Sequence, residues 1–201
     1  VGELHKEDII YGKNLKPEDA VIGLRSSGIH SNGVSLARRV LFKKWGGKYE
    51  PFDVPEGFER ELVYEVLEPT RIYVKPVMSL TGNHWLKATV HITGDAYLKF
   101  DRLTKFNKGL GFELDNFKPQ PIFRLIQEVS RERGRPISDE EMFKTFNMGW
   151  GFAVVVDNTL EEQAISYLER SDIEASQMGR VTDSGKIVVK YDGKTILLSE
   201  R

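Results

Sequence analysis

The 201-residue chain contains no cysteine. That absence excludes disulfides, thiolate nucleophiles and cysteine-based zinc sites, and it suits a reducing compartment. An excess of one charge is missing too. Lys plus Arg number 29 against 30 Asp plus Glu, for a formal net charge of -1. The composition therefore gives no global electrostatic footprint for nucleic acid. No apolar run approaches the length of a membrane span. The polar start, with Glu3, Lys6 and Glu7, is unlike a signal peptide. The expectation is a cytoplasmic protein with no nucleic-acid or membrane partner. Histidine is scarce as well. His84 and His91 lie seven apart with no third ligand in view, so no metal site is expected.

What is present fits a globular chain, with 40% hydrophobic and 29% charged residues. The length allows one large domain with a sizeable core. The first residue is Val1 rather than Met, which is compatible with an excised piece of a longer protein.

Apolar patterning predicts the elements. Ala20 to Arg25 reads as a buried strand, and Val34, Ala37, Val40 and Leu41 mark an amphipathic helix ended by Gly46-Gly47. Helices are expected over 58–67 and from 70 to about 80, with a kink or early end at Pro76. Thr89 to Thr93 reads as a strand, and Gly94-Asp95 turns the chain into a helix over 96–103. Residues 107–118 show no clear period. Helices follow over 121–133, from the capping signature Ser138-Asp139-Glu140-Glu141, and over 160–168. Strands are expected at 152–156, 175–181, 187–191 and 195–198, with Asp192-Gly193 as a hairpin turn. The sum is an α+β fold, a single domain with a mixed sheet and packed helices.

Three segments could carry chemistry. The loop Ser26-Ser27-Gly28-Ile29-His30-Ser31-Asn32-Gly33 joins a strand to a helix. Its glycines allow close backbone approach to an anion, Ser31 or Asn32 can cap the helix, and the helix start offers free N–H groups. His30 can donate a hydrogen bond, or carry charge at mildly acid pH. Spacing alone favours a plain strand–helix connection. The loop lacks the Gly-Lys-Ser/Thr of a Walker A motif and the Gly-x-Gly-x-x-Gly of a dinucleotide site. The second segment, His91-Ile92-Thr93-Gly94-Asp95, is a strand end that can present His91, Thr93, Gly94 and Asp95 to a cleft. A half-buried strand histidine and a helix cap at Asp95 explain it about as well. In the third, Phe143 to Gly151, the aromatic and Met side chains read as core. Asn147 stands out there, because an amide among apolar neighbours needs hydrogen-bond partners.

Taken together, the segments resemble a known family. Ser-Ser-Gly-Ile-His-Ser-Asn-Gly at 26–33, Glu-Pro-Thr-Arg-Ile-Tyr-Val-Lys-Pro-Val at 68–77 and Met-Phe-Lys-Thr-Phe-Asn-Met-Gly at 142–149 follow the order and spacing of aminoimidazole ribonucleotide synthetases. These are the phosphoribosylformylglycinamidine cyclo-ligases. His-Ile-Thr-Gly at 91–94 and Met-Gly-Arg-Val at 178–181 match further family segments. The first motif is shared across a superfamily that includes formylglycinamidine ribonucleotide synthetase, selenophosphate synthetase, thiamine-monophosphate kinase and a hydrogenase-maturation protein. The motifs at 68–77 and 142–149 are more specific to the cyclo-ligase. One departure is Asp95-Ala96, where the family pattern has further glycine.

The resemblance implies that residues 1–201 form a C-terminal, substrate-side domain. It implies ATP-dependent ring closure of formylglycinamidine ribonucleotide in purine biosynthesis, with ATP and Mg2+ bound mainly by an N-terminal domain that nothing in this chain resembles. A homodimer is implied, and the isolated chain is expected to be inactive. Ser26, Ser27, Gly28, His30, Ser31, Asn32 and Gly33 become candidates for substrate or phosphate binding. His91, Thr93, Gly94, Asp95 and Asn147 become candidates for lining the cleft. No residue is assigned as the catalytic base. A phosphosugar- or nucleotide-binding module without catalysis is the alternative from another class, and a sister enzyme of the hydrogenase-maturation or thiamine-kinase type is a third reading.

Overall fold

A computed structural model describes residues 3, 5, 6 and 9–198. Val1, Gly2 and Glu7, on which the reading of the chain start partly rests, lie outside the described residues.

Among the described residues seven strands form one mixed sheet, β1 (Ala20–Arg25), β2 (Ala88–His91), β3 (Gly111–Leu114), β4 (Trp150–Val156), β5 (Ala175–Thr182), β6 (Ile187–Tyr191) and β7 (Lys194–Leu198). Their spatial order is β2-β4-β1-β5-β3-β6-β7. All neighbours are antiparallel except β3 and β6. The α-helices of the described residues that pack around the sheet are α1 (Val34–Leu41), α2 (Leu62–Val66), α3 (Val74–Thr81), α4 (Asp101–Thr104), α5 (Pro121–Glu132), α6 (Asp139–Thr145) and α7 (Glu161–Glu169).

The continuous apolar runs at β1 and β4 arise because both faces of these strands are covered. Val21, Ala153 and Val155 face a core shared with α1, α5 and α6. Ala20, Ile22, Leu24, Val154 and Val156 face a second core with α3 and α7. The side chains thus alternate between two buried layers. Since β1 and β2 both run antiparallel to β4, they are parallel to each other, and the C-terminal ends of β1 and β2 meet the N-terminal end of β4. That end of the sheet receives the loop 26–33, the segment 91–95 and residues 147–150. At the other end, Lys87 bridges Asp19 and Asp157, tying the start of β1 to the start of β2 and the end of β4.

The expected α+β class and mixed sheet are what the structure holds. Boundaries differ in instructive places. The helix expected to reach Gly46 stops at Leu41 and continues as one 3-10 turn, Lys43–Trp45, before Gly46 turns left-handed. The helix expected over 58–67 contracts to 62–66, and the next begins only at Val74, since residues 68–73 are pinned to the loop 26–33. Pro76 sits in the first turn of α3, where its missing N–H costs nothing, so it neither kinks nor ends the helix. The helix expected over 96–103 is a 3-10 turn, Ala96–Phe100, followed by the short α4. The unplaced stretch 107–118 contains β3, inserted between β5 and β6. At α6 the capping signature works as expected, with the Ser138 hydroxyl accepting from the Glu141 N–H at 3.1 Å.

Two cap assignments are corrected. Neither Ser31 nor Asn32 caps α1. The N-cap is Gly33, at φ 68, and the Asn32 amide turns to the Ile92 carbonyl instead. Gly33 is required twice over, because a Cβ there would also lie 2.2 Å from the Phe146 ring. Asp95 is likewise no side-chain cap. It takes a left-handed conformation, φ 66, and Ala96 follows at φ 41, so two residues with side chains occupy backbone that glycine adopts more easily.

Candidate functional site

The loop 26–33 is built into the protein by its own polar groups. The Ser26 N–H donates to the Gly149 carbonyl at 2.9 Å, and the Gln120 amide donates to the Ser26 carbonyl at 2.7 Å. The Ser27 hydroxyl donates to the Pro69 carbonyl at 2.6 Å. The buried Asn147 amide donates to the Gly28 carbonyl at 2.8 Å, while its oxygen accepts from the Gly149 N–H at 3.0 Å. Segments that stand far apart in the chain are thereby fastened at one point, at the shared end of β1, β2 and β4.

His30 lies at the centre, 3% exposed and left-handed at φ 58. Its Nε2 accepts the Ser27 backbone N–H at 3.1 Å. A ring nitrogen that accepts a backbone N–H carries no hydrogen itself, so Nδ1 bears it. That Nδ1–H is buried and has no partner. Native proteins rarely leave a buried donor unmatched, and such a group asks what it is for.

Around His30 stands a small aromatic wall. The Tyr73 ring is 6.2 Å from the His30 ring, and the Tyr73 hydroxyl donates to the Arg25 carbonyl at 3.1 Å. Tyr73 also meets His91 edge-on at 6.0 Å and Phe152 at 5.4 Å. Gly151 makes this packing possible. A Cβ on it would lie 2.0 Å from the Tyr73 oxygen and 2.5 Å from His30 Cε1. His91 is exposed at the end of β2, and Thr93 and the His91 carbonyl hold the ammonium of Lys99.

Burial pushes the His30 pKa down from 6.5 to about 4, and the neighbouring His91 and Arg71 add to the shift. Burial likewise lowers His91, with Lys99 contributing. His30 is therefore neutral at mildly acid pH, and of the two roles open to it only hydrogen-bond donation survives. Its titration has a consequence for stability. Between pH 6.5 and about 4 the unfolded ring holds a proton that the folded ring does not. Stability should fall as the pH drops through that window, by about 3 kcal/mol at its acid end. Urea unfolding from pH 7 to 4 should show a shallower loss for His30→Gln than for the wild type. Parallel curves would contradict the burial of a neutral ring.

The structure thus brings together half of the expected site residues. Ser26, Ser27, Gly28, His30 and Asn147 share one hydrogen-bonded cluster, and His91 joins it through Tyr73. Ser31 is exposed at the mouth, and the first-turn N–H groups of α1 after Gly33 have no helical partner. Gly94 and Asp95 are exposed and stand apart, beside a polar hollow of about 360 Å³ shared with Lys99, Arg102 and Lys105. Sequence reasoning missed Arg71, Tyr73, Gln120 and Phe152 as neighbours of the site. Arg71 and Tyr73 lay inside the motif at 68–77, whose signal was available but was used only as a family mark. Gln120 carries no signal at all. A larger cleft, about 1050 Å³, runs between residues 9–14 and 78–87 and holds none of the expected residues. Among the described residues no group of three or more His, Asp or Glu is placed to hold a metal ion.

Comparisons with known proteins give the family. The model of the family "AIR synthase related protein, C-terminal domain" matches residues 16–192. The phosphoribosylformylglycinamidine cyclo-ligase of Methanocaldococcus jannaschii is 41% identical over 96% of this chain and 55% of its own length. That of Thermococcus kodakarensis is 42% identical over 96% of this chain and 53% of its own length. The chain spans about half the length of the curated relatives it matches. Among solved structures, hydrogenase maturation protein HypE in complex with ATP aligns with TM-score 0.60 and 13% identity, over 100% of this chain and 56% of its own. T. maritima PurL complexed with FGAR aligns with TM-score 0.56 and 11% identity, over 95% of this chain and 28% of its own. These last two likenesses concern the fold. With its motifs assembled at one end of the sheet and its relatives named, the chain belongs to the AIR synthase related proteins and corresponds to their C-terminal domain.

Proposed function

We propose that this domain is the substrate-side half of a cyclo-ligase that closes formylglycinamidine ribonucleotide to aminoimidazole ribonucleotide in purine biosynthesis. The observation that carries the reading is the convergence of the segments 26–33, 68–73 and 147–151 on His30, whose buried Nδ1–H has no protein partner. The substrate carries a ribose 5-phosphate, whose oxygens can accept from such a donor and from the free N–H groups of a helix start.

In the reaction, ATP would transfer a phosphoryl group to the oxygen of the formyl-derived amide and leave as ADP, and the amidine-side nitrogen would then bond to that carbon, losing a proton, as the oxygen departs with phosphate. The part of this chain is to bind and orient. Ser27 and Asn147 fix the loop, Tyr73 and Gly151 hold the His30 ring, and His91 and Thr93 border the approach. Magnesium needs hard oxygen ligands, commonly carboxylates, and the described residues gather no acidic cluster for it. No step is assigned to the metal here. ATP and Mg2+ belong, in this reading, to the N-terminal domain of the full enzyme, which is also the domain's partner. A cytoplasmic homodimer completes the proposal.

The sister readings and the bare binding module are separated by selectivity and turnover. Isothermal titration of the 201-residue chain should give at least tenfold tighter binding for formylglycinamidine ribonucleotide than for thiamine monophosphate. The same chain with ATP and Mg2+ should not turn substrate over. Preference for thiamine monophosphate would move the domain to a sister enzyme. Turnover by the chain alone would overturn the division of labour.

A further inference from the structure

Two buried side-chain atoms among the described residues lack a hydrogen-bond partner, His30 Nδ1 and Arg71 Nε. They belong to segments that are fastened to each other. Ser27 donates to Pro69, two residues before Arg71, and the Tyr73 ring, two residues after it, stands 6.2 Å from the ring of His30. Arg71 also acts electrostatically on both rings: burial lowers the His30 pKa and Arg71 adds to that shift, while burial raises the Tyr73 pKa and Arg71 opposes the rise.

The two orphans have the same sense. Nε2 of His30 accepts from Ser27, so Nδ1 bears a hydrogen. An arginine Nε always bears one, and its guanidinium is always charged. Both are donors. A pair of unmatched donors, one of them cationic, calls for an acceptor that is an anion. The nearby acids do not serve. Glu68 is paired with Arg60 at 2.7 Å, and Glu65 with the same arginine at 2.5 Å. Lys99, held by Thr93 and the His91 carbonyl, adds positive charge on the far side of His91.

We propose that Arg71 is a ligand-binding residue and that its Nε–H and the Nδ1–H of His30 together hold a phosphate-ester oxyanion. This rests on the reading of the site given above and narrows it. The phosphate cradle is shared between the loop 26–33 and the segment 68–73. Its side-chain donors are His30 and Arg71, and Ser26 and Ser27 serve to fix the loop. Ser26 and Ser27 already spend their hydroxyls on Gln120 and Pro69.

The test is a titration of the 15N-labelled chain, following the His30 Nδ1 and Arg71 Nε resonances. The probes are inorganic phosphate, formylglycinamidine ribonucleotide and ATP. Both resonances should move with one saturation curve for phosphate and for whichever ester is the natural occupant. Arg71→Lys keeps the charge and removes Nε–H, and should weaken that ligand by about 10- to 100-fold. Binding by Arg71→Lys as tight as the wild type overturns the proposal. So does formylglycinamidine ribonucleotide binding that leaves both resonances still, although the cyclo-ligase reading then stands. Movement with phosphate and ATP but no binding of formylglycinamidine ribonucleotide does the reverse. It keeps the oxyanion site and removes the cyclo-ligase substrate. The wild-type spectra decide the matter even if a variant folds poorly.

Discussion

Asn147→Ala should lower the melting temperature by roughly 5–15 °C and weaken phosphate-ester binding at least tenfold. The side chain is wholly buried and makes two bonds that nothing else can make. Its Nδ2 donates to the Gly28 carbonyl, and its Oδ1 accepts from the Gly149 N–H. Alanine leaves both backbone groups buried and unmatched. Each orphan costs about 1–3 kcal/mol, and the lost volume adds a further cavity term. The binding loss follows from place, because Gly28 lies two residues before His30 and the bond closes the loop against β4. Asn147→Asp separates the two bonds. It keeps an acceptor for Gly149 but faces the Gly28 carbonyl with a carboxylate that cannot donate. That variant should lose binding as alanine does. Differential scanning calorimetry and titration calorimetry measure the two effects. A melting temperature within 2 °C of the wild type would remove Asn147 from this role.

Gly151→Ala should cost less stability and as much binding. The new methyl would sit 2.0 Å from the Tyr73 oxygen and 2.5 Å from His30 Cε1, both far inside contact distance. Something must shift, and the choices are the phenol that bonds to the Arg25 carbonyl or the ring that offers the orphan donor. Overpacking of this kind costs about 1–3 kcal/mol. Displacing His30 removes a directed donor, so phosphate-ester affinity should fall at least tenfold. Pairing Gly151→Ala with Tyr73→Phe deletes the nearest clashing atom and should restore part of the binding, leaving the 2.5 Å contact with His30. Equal affinity in Gly151→Ala and wild type would show that His30 is not held by this packing.

These two residues also show how far the sequence could be read. Asn147 was legible, since an amide between Phe146 and Met148 needs partners wherever the chain goes. Its partners were not, because Gly28 lies 119 residues away and only the fold joins them. For Gly151, a glycine beside Trp150 at a strand start fits close packing, but nothing along the chain says that the neighbours are Tyr73 and His30. The core strands were clear from their unbroken apolar runs, which is how strands covered on both faces appear. β3 was not, because Gly111 to Leu114 is too short to show a period and lies among residues with no pattern. The cap of α1 was misjudged for a related reason. Ser31 and Asn32 have the right side chains, but Phe146 crowds the turn so closely that only the backbone of Gly33 fits. Arg71 was invisible as a site residue. Arginine in a loop is ordinary, and its unmatched Nε becomes notable only once Ser27 and Tyr73 place it beside His30.

The central claim is that these scattered segments make one site for a phosphorylated purine precursor. A map of backbone amide shifts in the 15N-labelled chain, titrated with formylglycinamidine ribonucleotide, tests it most directly. The account predicts saturable changes centred on residues 27–36, 69–73 and 147–151, spreading to 91–95. Changes confined to the cleft between residues 9–14 and 78–87, or none at millimolar ligand, would contradict it.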